Sequence, residues 1–154
     1  MFLGTILTDL PLPSASTPAP DCPGCNACIR ACPSGALTET GCDVARCLSD
    51  LTQKKGTLTA EQKAQLQAHP LIWGCDFCQL ACPYNRDAQV SPLPELTGQT
   101  EETPYLASLS SEDLDGLTNR TFRAVFGNRS FAWRGPAVLR RNLAWKEEKK
   151  DDKL

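Results

Sequence analysis

Residues 22–33 read CPGCNACIRACP, and residues 74–83 read GCDFCQLACP. The first stretch is Cys22-x2-Cys25-x2-Cys28-x3-Cys32-Pro33, the spacing of bacterial ferredoxins. The reason for that spacing is geometric. A cube-shaped iron–sulfur cluster presents its irons at tetrahedral corners. Two-residue gaps let one loop wrap three of those corners. The fourth cysteine, one helical turn further on, points away toward a second cluster, and the proline after it fixes the turn. The second stretch, Cys75-x2-Cys78-x3-Cys82-Pro83, is the end of another such run that lacks its first cysteine.

Cys47 can supply that cysteine across an insertion of 27 residues. The exchange of ligands then closes. Cluster one takes Cys22, Cys25, Cys28 and Cys82; cluster two takes Cys32, Cys47, Cys75 and Cys78. These eight thiols suit two [4Fe–4S] centres. Cys42 is left over, and it lies near enough in sequence to replace Cys47. Cys47 is preferred because Val44, Leu48 and Leu51 recur at helical spacing, which predicts a helix over Asp43–Leu51 with Cys47 on or beside its apolar face. Cys42 follows Gly41 in a predicted turn and reads as a spare thiol. Zinc also uses CxxC pairs. Its sites do not usually carry a third cysteine two residues on, or end in Cys-Pro.

The compartment agrees with metal. Nine cysteines are an odd number, so a disulfide framework leaves one over. MFLGTILTDL, residues 1–10, lacks a basic start and its apolar run is too short for a secretory signal. No stretch reaches the roughly 20 apolar residues of a membrane span. The chain therefore reads as soluble and cytoplasmic, with no membrane partner, where thiols stay reduced. Aromatic residues are only 6% of the chain, so its core is thin, and metal centres are the obvious support.

The rest divides by composition. Residues 1–21 hold an apolar stretch, Phe2–Leu7, that could be a short strand, and then a proline-rich linker. Residues 22–90 form the cysteine domain. Within it, Thr59 and Gln62 make a capping box that predicts a helix over residues 60–68, ended by His69-Pro70. His69, the one histidine, reads as a surface residue. Trp73 reads as a shield over cluster two. Residues 91–154 hold a polar linker and a helical region. Ser110 or Ser111 caps one short helix through Leu114. Thr118 or Asn119 caps another that carries Phe122, Val125 and Phe126 and stops at Gly127. Pro136 opens the last.

Net charge is −2 with pI near 5.4, which does not suggest nucleic acid. The average hides an asymmetry. Gly116–Lys146 holds six arginines and one lysine with no acid. Arg120, Arg123, Arg129, Arg134, Arg140 and Arg141 could form an ordinary solvated face. Guanidinium forks also suit phosphate, and so a polyanionic partner.

Taken in order, LGTILTDLPLP (3–13), CPGCNACIRACPSGAL (22–37), DVARCLSDLT (43–52), GCDFCQLACPYNR (74–86) and RGPAVLRRNLA (134–144) resemble the C-terminal part of tRNA epoxyqueuosine reductase. The likeness covers nearly the whole chain. The GCDxCQxxCPxN element is specific to that family, whereas the first cysteine run alone is not. The resemblance implies an α+β, mostly helical fold. A bacterial dicluster (2[4Fe–4S]) ferredoxin-like domain would be followed by short HEAT-like α-helices. It also implies a function in queuosine biosynthesis. Electrons pass through two [4Fe–4S] clusters to cobalamin, which reduces epoxyqueuosine to queuosine in tRNA.

The family pattern also favours Cys47 over Cys42. It places Ser49 close to where cobalamin docks and the arginine-rich end where the family meets tRNA. It implies an electron donor such as flavodoxin or ferredoxin. The family's cobalamin domain precedes the position of LGTILTDL, and its proton-donating carboxylate lies there, so no catalytic residue is named in this chain. The family usually has an aromatic at Asp50. On this reading the chain is a fragment, a truncated homologue or half of a split oxidoreductase, with the cobalamin domain supplied in cis or in trans. The alternative is a stand-alone dicluster ferredoxin-type electron carrier, and a weaker one is a zinc-bearing nucleic-acid module.

Overall fold

The computed structural model describes residues 6–13, 21–93, 106 and 108–151. Helix dominates, as expected for the α+β, mostly helical class. After the first cysteines comes a short helix, α1 (Ala27–Ala31). A two-stranded antiparallel hairpin follows, β1 (Leu37–Thr38) and β2 (Gly41–Cys42), with Leu37 opposite Cys42.

A 3-10 turn, Val44–Arg46, leads into α2 (Leu48–Gln53). The single helix expected over Asp43–Leu51 is therefore broken at Cys47. The Asp43 carboxylate accepts the Ala45 N–H at 3.1 Å and tightens the first turn. Cys47 then adopts an extended conformation as the N-cap of α2. Val44, expected on the apolar face, is 59% exposed.

α3 (Ala60–Ala68) begins with the expected capping box: Thr59 and Gln62 each satisfy the other's free backbone N–H. It ends at His69, whose next residue is proline. Contrary to expectation, His69 is buried, because the chain folds back over it through Gly74. α4 (Phe77–Leu80) and α5 (Pro83–Arg86) carry the second cysteine run. Ser110 and Asp113 cap each other around the 3-10 turn Glu112–Leu114. Thr118, with Thr121, caps α6 (Asn119–Phe126). Phe122 of α6 is fully buried, but Val125, expected beside it, is exposed. A further 3-10 turn, Ala132–Arg134, precedes α7 (Pro136–Asp151), which Pro136 opens.

Of the strand expected over Phe2–Leu7, residues 2–5 lie outside the described residues, and Ile6 and Leu7 are exposed and in no strand. Most of both expected linkers also lies outside them.

Two apolar clusters hold the fold. Leu48, Leu51, Leu58 and Leu66 pack between α2 and α3, with Cys75 and Trp145 against them. Leu114, Phe122, Ala132, Leu139 and Leu143 form the other, with Ile72, Trp73 and Phe131 at its edge. Each fully buried Leu or Phe contributes about 1.5–3 kcal/mol. α7 serves both clusters. Leu139 and Leu143 enter one and Trp145 covers the other, so the C-terminal helix is packed onto the cysteine domain.

Candidate metal centre

The two cysteine runs meet in space. Cys22, Cys25 and Cys28 line one cavity, of about 250 Å3, and Cys82 lines it with them. α1 brings Cys28 to this cavity, and the turn into α5 brings Cys82. Asn26, in the left-handed conformation at φ 56°, starts α1 one residue after Cys25. The Arg30 guanidinium holds the Cys25 carbonyl at 2.9 Å. Tyr84, two residues beyond Cys82, donates its hydroxyl to the Asp21 carbonyl at 3.0 Å. That bond ties the end of the second run to the start of the first.

Cys32 and Cys47 lie near enough to act on both Cys75 and Cys78, and these four are taken together as a second group. Burial pushes the Cys75 and Cys78 thiols up, and the neighbouring Cys47 and Cys32 push both the same way. A cationic centre bound among sulfurs whose negative forms repel one another would draw their protons off. Cys32 differs. Burial raises its pKa, but hydrogen bonds from Leu37, Ser34 and Ala36 outweigh that and lower it. The Ala36 N–H reaches its sulfur at 3.2 Å. Such N–H···S bonds tune the potential of a cluster.

Among the described residues, no three His, Cys, Asp or Glu side chains converge closely enough to share one ion. Sulfurs on a single zinc lie about 2.3 Å from it and hence close together. A four-iron cube spreads its ligands wider, and the first cavity has room for it. The donor set, all thiol, suits iron–sulfur.

Cys42 is exposed, on β2, with the Cys47 and Cys32 thiols near enough to raise its pKa after the effect of burial. It therefore lies beside the second group. Ser49 is on α2, its hydroxyl accepting from Gln53 at 3.3 Å. Trp73 packs edge-on to Phe131 at 6.5 Å. The apolar cover on Cys75 comes instead from the α2–α3 cluster.

Sequence reasoning missed the groups that position Cys75. Thr52 accepts the Gly74 N–H at 2.9 Å, and His69 Nε2 donates to the Gly74 carbonyl at 3.0 Å. Asn142, buried on α7, donates to the carbonyls of Thr52 and Ile72, both at 2.8 Å. No motif marks these residues. A buried Asn inside an apolar helix pattern is the one available signal.

The arginines separate into two roles. Arg140 donates to the Leu114 and Leu117 carbonyls. Arg141 donates to the carbonyls of Lys54 and Gly56 and to Asn142. Both are therefore engaged in holding α7 in place. Arg120, Arg123 and Arg134 instead line one concavity of about 520 Å3, with Lys55, Asn119 and Trp133. The Arg134 guanidinium lies 3.8 Å from the Trp133 ring centre, and Trp133 is 57% exposed. Gly135 adjoins it at φ 79°, and a Cβ there would press on Asn119 Oδ1 at 2.8 Å. Arg129, half-buried after α6, does not line this concavity.

A family described as a 4Fe-4S double cluster binding domain matches residues 21–85. An epoxyqueuosine reductase of Listeria monocytogenes is 37% identical over 144 residues, 92% of this chain and 36% of its own. An uncharacterised protein of Geobacillus stearothermophilus is 34% identical over 143 residues, 92% of this chain and 63% of its own.

Among solved structures, epoxyqueuosine reductase from Streptococcus thermophilus superposes with a TM-score of 0.66 at 31% identity, over 89% of this chain and 35% of that one. A crystal structure of epoxyqueuosine reductase with an epoxyqueuosine-modified tRNA-Tyr stem loop gives 0.63 at 34% identity, over 82% and 32%. The chain spans about a third of the length of the epoxyqueuosine reductases that it matches. No helix among the described residues is long and apolar enough to cross a membrane. Residues 21–85 thus match a double-cluster domain, and the chain as a whole is similar to the C-terminal, iron–sulfur part of the epoxyqueuosine reductases.

Proposed function

We propose that this chain is the electron-relay and tRNA-contacting part of a cytoplasmic epoxyqueuosine reductase. Cys22, Cys25, Cys28 and Cys82 hold one [4Fe–4S] cluster, and Cys32, Cys47, Cys75 and Cys78 hold the other. The observation that carries this reading is the presence of Cys82, from the second run, in the cavity lined by the first. When bound, the clusters supply one-electron steps to a cobalamin, held mainly by another domain, that reduces epoxyqueuosine to queuosine in tRNA.

The chain's own residues do the positioning. Tyr84 closes the first site onto Asp21. Thr52 and His69 fix Gly74 and so aim Cys75. The N–H groups over Cys32 set the electrostatics of the second site. Ser49, on α2 two residues after Cys47, would lie on the side toward cobalamin. Arg120, Arg123 and Arg134, with Lys55, offer a cationic concavity with no acid among the described residues of its lining, suited to tRNA phosphates, and Trp133 offers a face for stacking. Electrons enter from a flavodoxin- or ferredoxin-type donor.

The test is complementation. An epoxyqueuosine reductase deleted for its own cluster-bearing part is mixed with this iron-loaded chain, cobalamin, a chemical reductant and epoxyqueuosine-bearing stem loop. Queuosine forms in the mixture and not with this chain alone. Turnover by the chain alone would contradict the division of labour. Fully loaded chain that never complements, yet passes electrons to other acceptors, leaves the ferredoxin-type carrier as the function.

A further inference from the structure

His69 is the one histidine of the chain, and it is 2% exposed. Its Nε2 faces the Gly74 carbonyl at 3.0 Å. A carbonyl can only accept, so Nε2 carries the hydrogen and Nδ1 is left with a lone pair. Nδ1 is buried and has no partner. Gln65 Oε1 is buried and without a partner as well. The two residues are four apart across the end of α3, and the His69 N–H bonds the Gln65 carbonyl at 3.1 Å. Side chains at that separation lie side by side. Two acceptors cannot satisfy each other. A proton on Nδ1 would satisfy both at once and leave each ring nitrogen donating to a carbonyl oxygen.

Both side chains line a small cavity of about 170 Å3, along with Pro33, Ser34, Leu48 and Phe77. Those four residues lie within two positions of cysteines of the second group. Pro33 and Ser34 follow Cys32, Leu48 follows Cys47, and Phe77 precedes Cys78. The His69 ring also leans on Phe77, with centres 5.9 Å apart. A group prepared to take a proton thus shares a cavity with sequence neighbours of the cysteines at which an electron would arrive.

We propose that His69, with Gln65 as its acceptor, is the proton-uptake site for reduction at the second cysteine group. The inference rests on the assignment of a cluster to Cys32, Cys47, Cys75 and Cys78. For each electron that a one-electron donor delivers there, one proton passes from solvent to His69 Nδ1. The site then gains no net charge. In the oxidised protein, His69 is neutral. Burial disfavours its charged form, and the Lys146 ammonium on α7 adds to this, against the Gly74 carbonyl. Among the described residues lining the cavity, His69 is the only ionisable one. Lys146 is the charged side chain that acts on it. The negative charge of the reduced site is what shifts the balance toward the imidazolium.

The experiment is a redox titration of the iron-loaded chain with dithionite, followed by electron paramagnetic resonance, between about pH 6 and pH 9, around the ordinary histidine value. The expected result is a pH-dependent potential for the second cluster only. Its slope approaches a tenfold change in the reduction equilibrium per pH unit, 59 mV for one electron. His69→Gln keeps a donor to Gly74 but offers no proton site, and its potential is flat with pH. Gln65→Met keeps the volume but removes the acceptor, and moves the sloping region to lower pH. A flat potential in the parent chain, or an unchanged slope in His69→Gln, overturns the proposal. A chain that takes up no iron overturns the cluster assignment itself, which iron analysis reads separately.

Discussion

The Thr52 hydroxyl accepts the N–H of Gly74 at 2.9 Å, across 22 residues of sequence. That bond joins α2, whose N-cap is Cys47, to the residue just before Cys75. Two parts of the second cysteine group are thus held together by one side chain that is itself no ligand. Thr52 is 1% exposed, so water cannot replace it. Thr52→Val keeps the shape and leaves the Gly74 N–H unsatisfied. It should cost about 1–3 kcal/mol of stability in chemical denaturation. It should also speed loss of visible absorbance on exposure to a chelator. Thr52→Ser should restore most of both.

The proposed interleaving of ligands makes a crossed prediction. Two four-iron clusters amount to eight irons per chain. Cys32→Ala should abolish the signal of the cluster bound mainly by the second run, although Cys32 lies in the first. Cys82→Ala should abolish the other. Each variant should retain about half the iron. Cys42→Ala should retain all of it. Loss of a whole cluster in Cys42→Ala, with Cys47→Ala intact, would reverse the choice between them.

The arginines should divide by role. Arg141→Ala removes donors to Lys54 and Gly56, and should lower stability by about 1–2 kcal/mol with α7 loosened. Arg120→Ala and Arg123→Ala, on exposed positions of α6, should change stability by less than about 0.5 kcal/mol. They should weaken binding of an RNA stem loop. In fluorescence anisotropy, the slope of log affinity against log salt should fall by about 0.7–0.9 for each phosphate no longer neutralised. Equal affinity and an unchanged slope would remove this face from the RNA site.

Acid should weaken the oxidised protein through His69. Burial holds the folded-state value below the ordinary one near 6.5. The unfolded chain then binds the proton more readily than the folded one. The stability is present above about pH 6.5 and declines as the pH falls below it toward the folded value. Urea midpoints measured on either side of that value should separate in the parent. They should draw together in His69→Gln, by the share that His69 contributes.

Gly74 stands at φ 70°, where a side chain strains the backbone. Gly74→Ala should cost about 1–2 kcal/mol although nothing lies near its absent Cβ. Calorimetry of the iron-loaded chain measures it. An unchanged midpoint would mean that the loop relaxes freely, and that Thr52 and His69 do not fix it.

Short-range chemistry was legible from the sequence. The two- and three-residue gaps between cysteines dictate which sulfurs can face one loop. Thr59 with Gln62, Thr118 and Pro136 mark helix starts because they meet local needs of the backbone. These are contacts within a few residues, and the order of amino acids determines them directly. What followed from distant contacts was not legible. Val44 fits a helical period, yet the Asp43 cap turns that segment before a helix can form. His69 precedes a proline like many surface residues, but becomes buried when Gly74 folds back onto it. Six arginines look alike along the chain. Arg140 and Arg141 become structural only because α7 lies against carbonyls that other segments leave free. Spacing determined which cysteines could act together. Tertiary packing decided how they are held, because the buried carbonyls and amides of one segment must find partners in another.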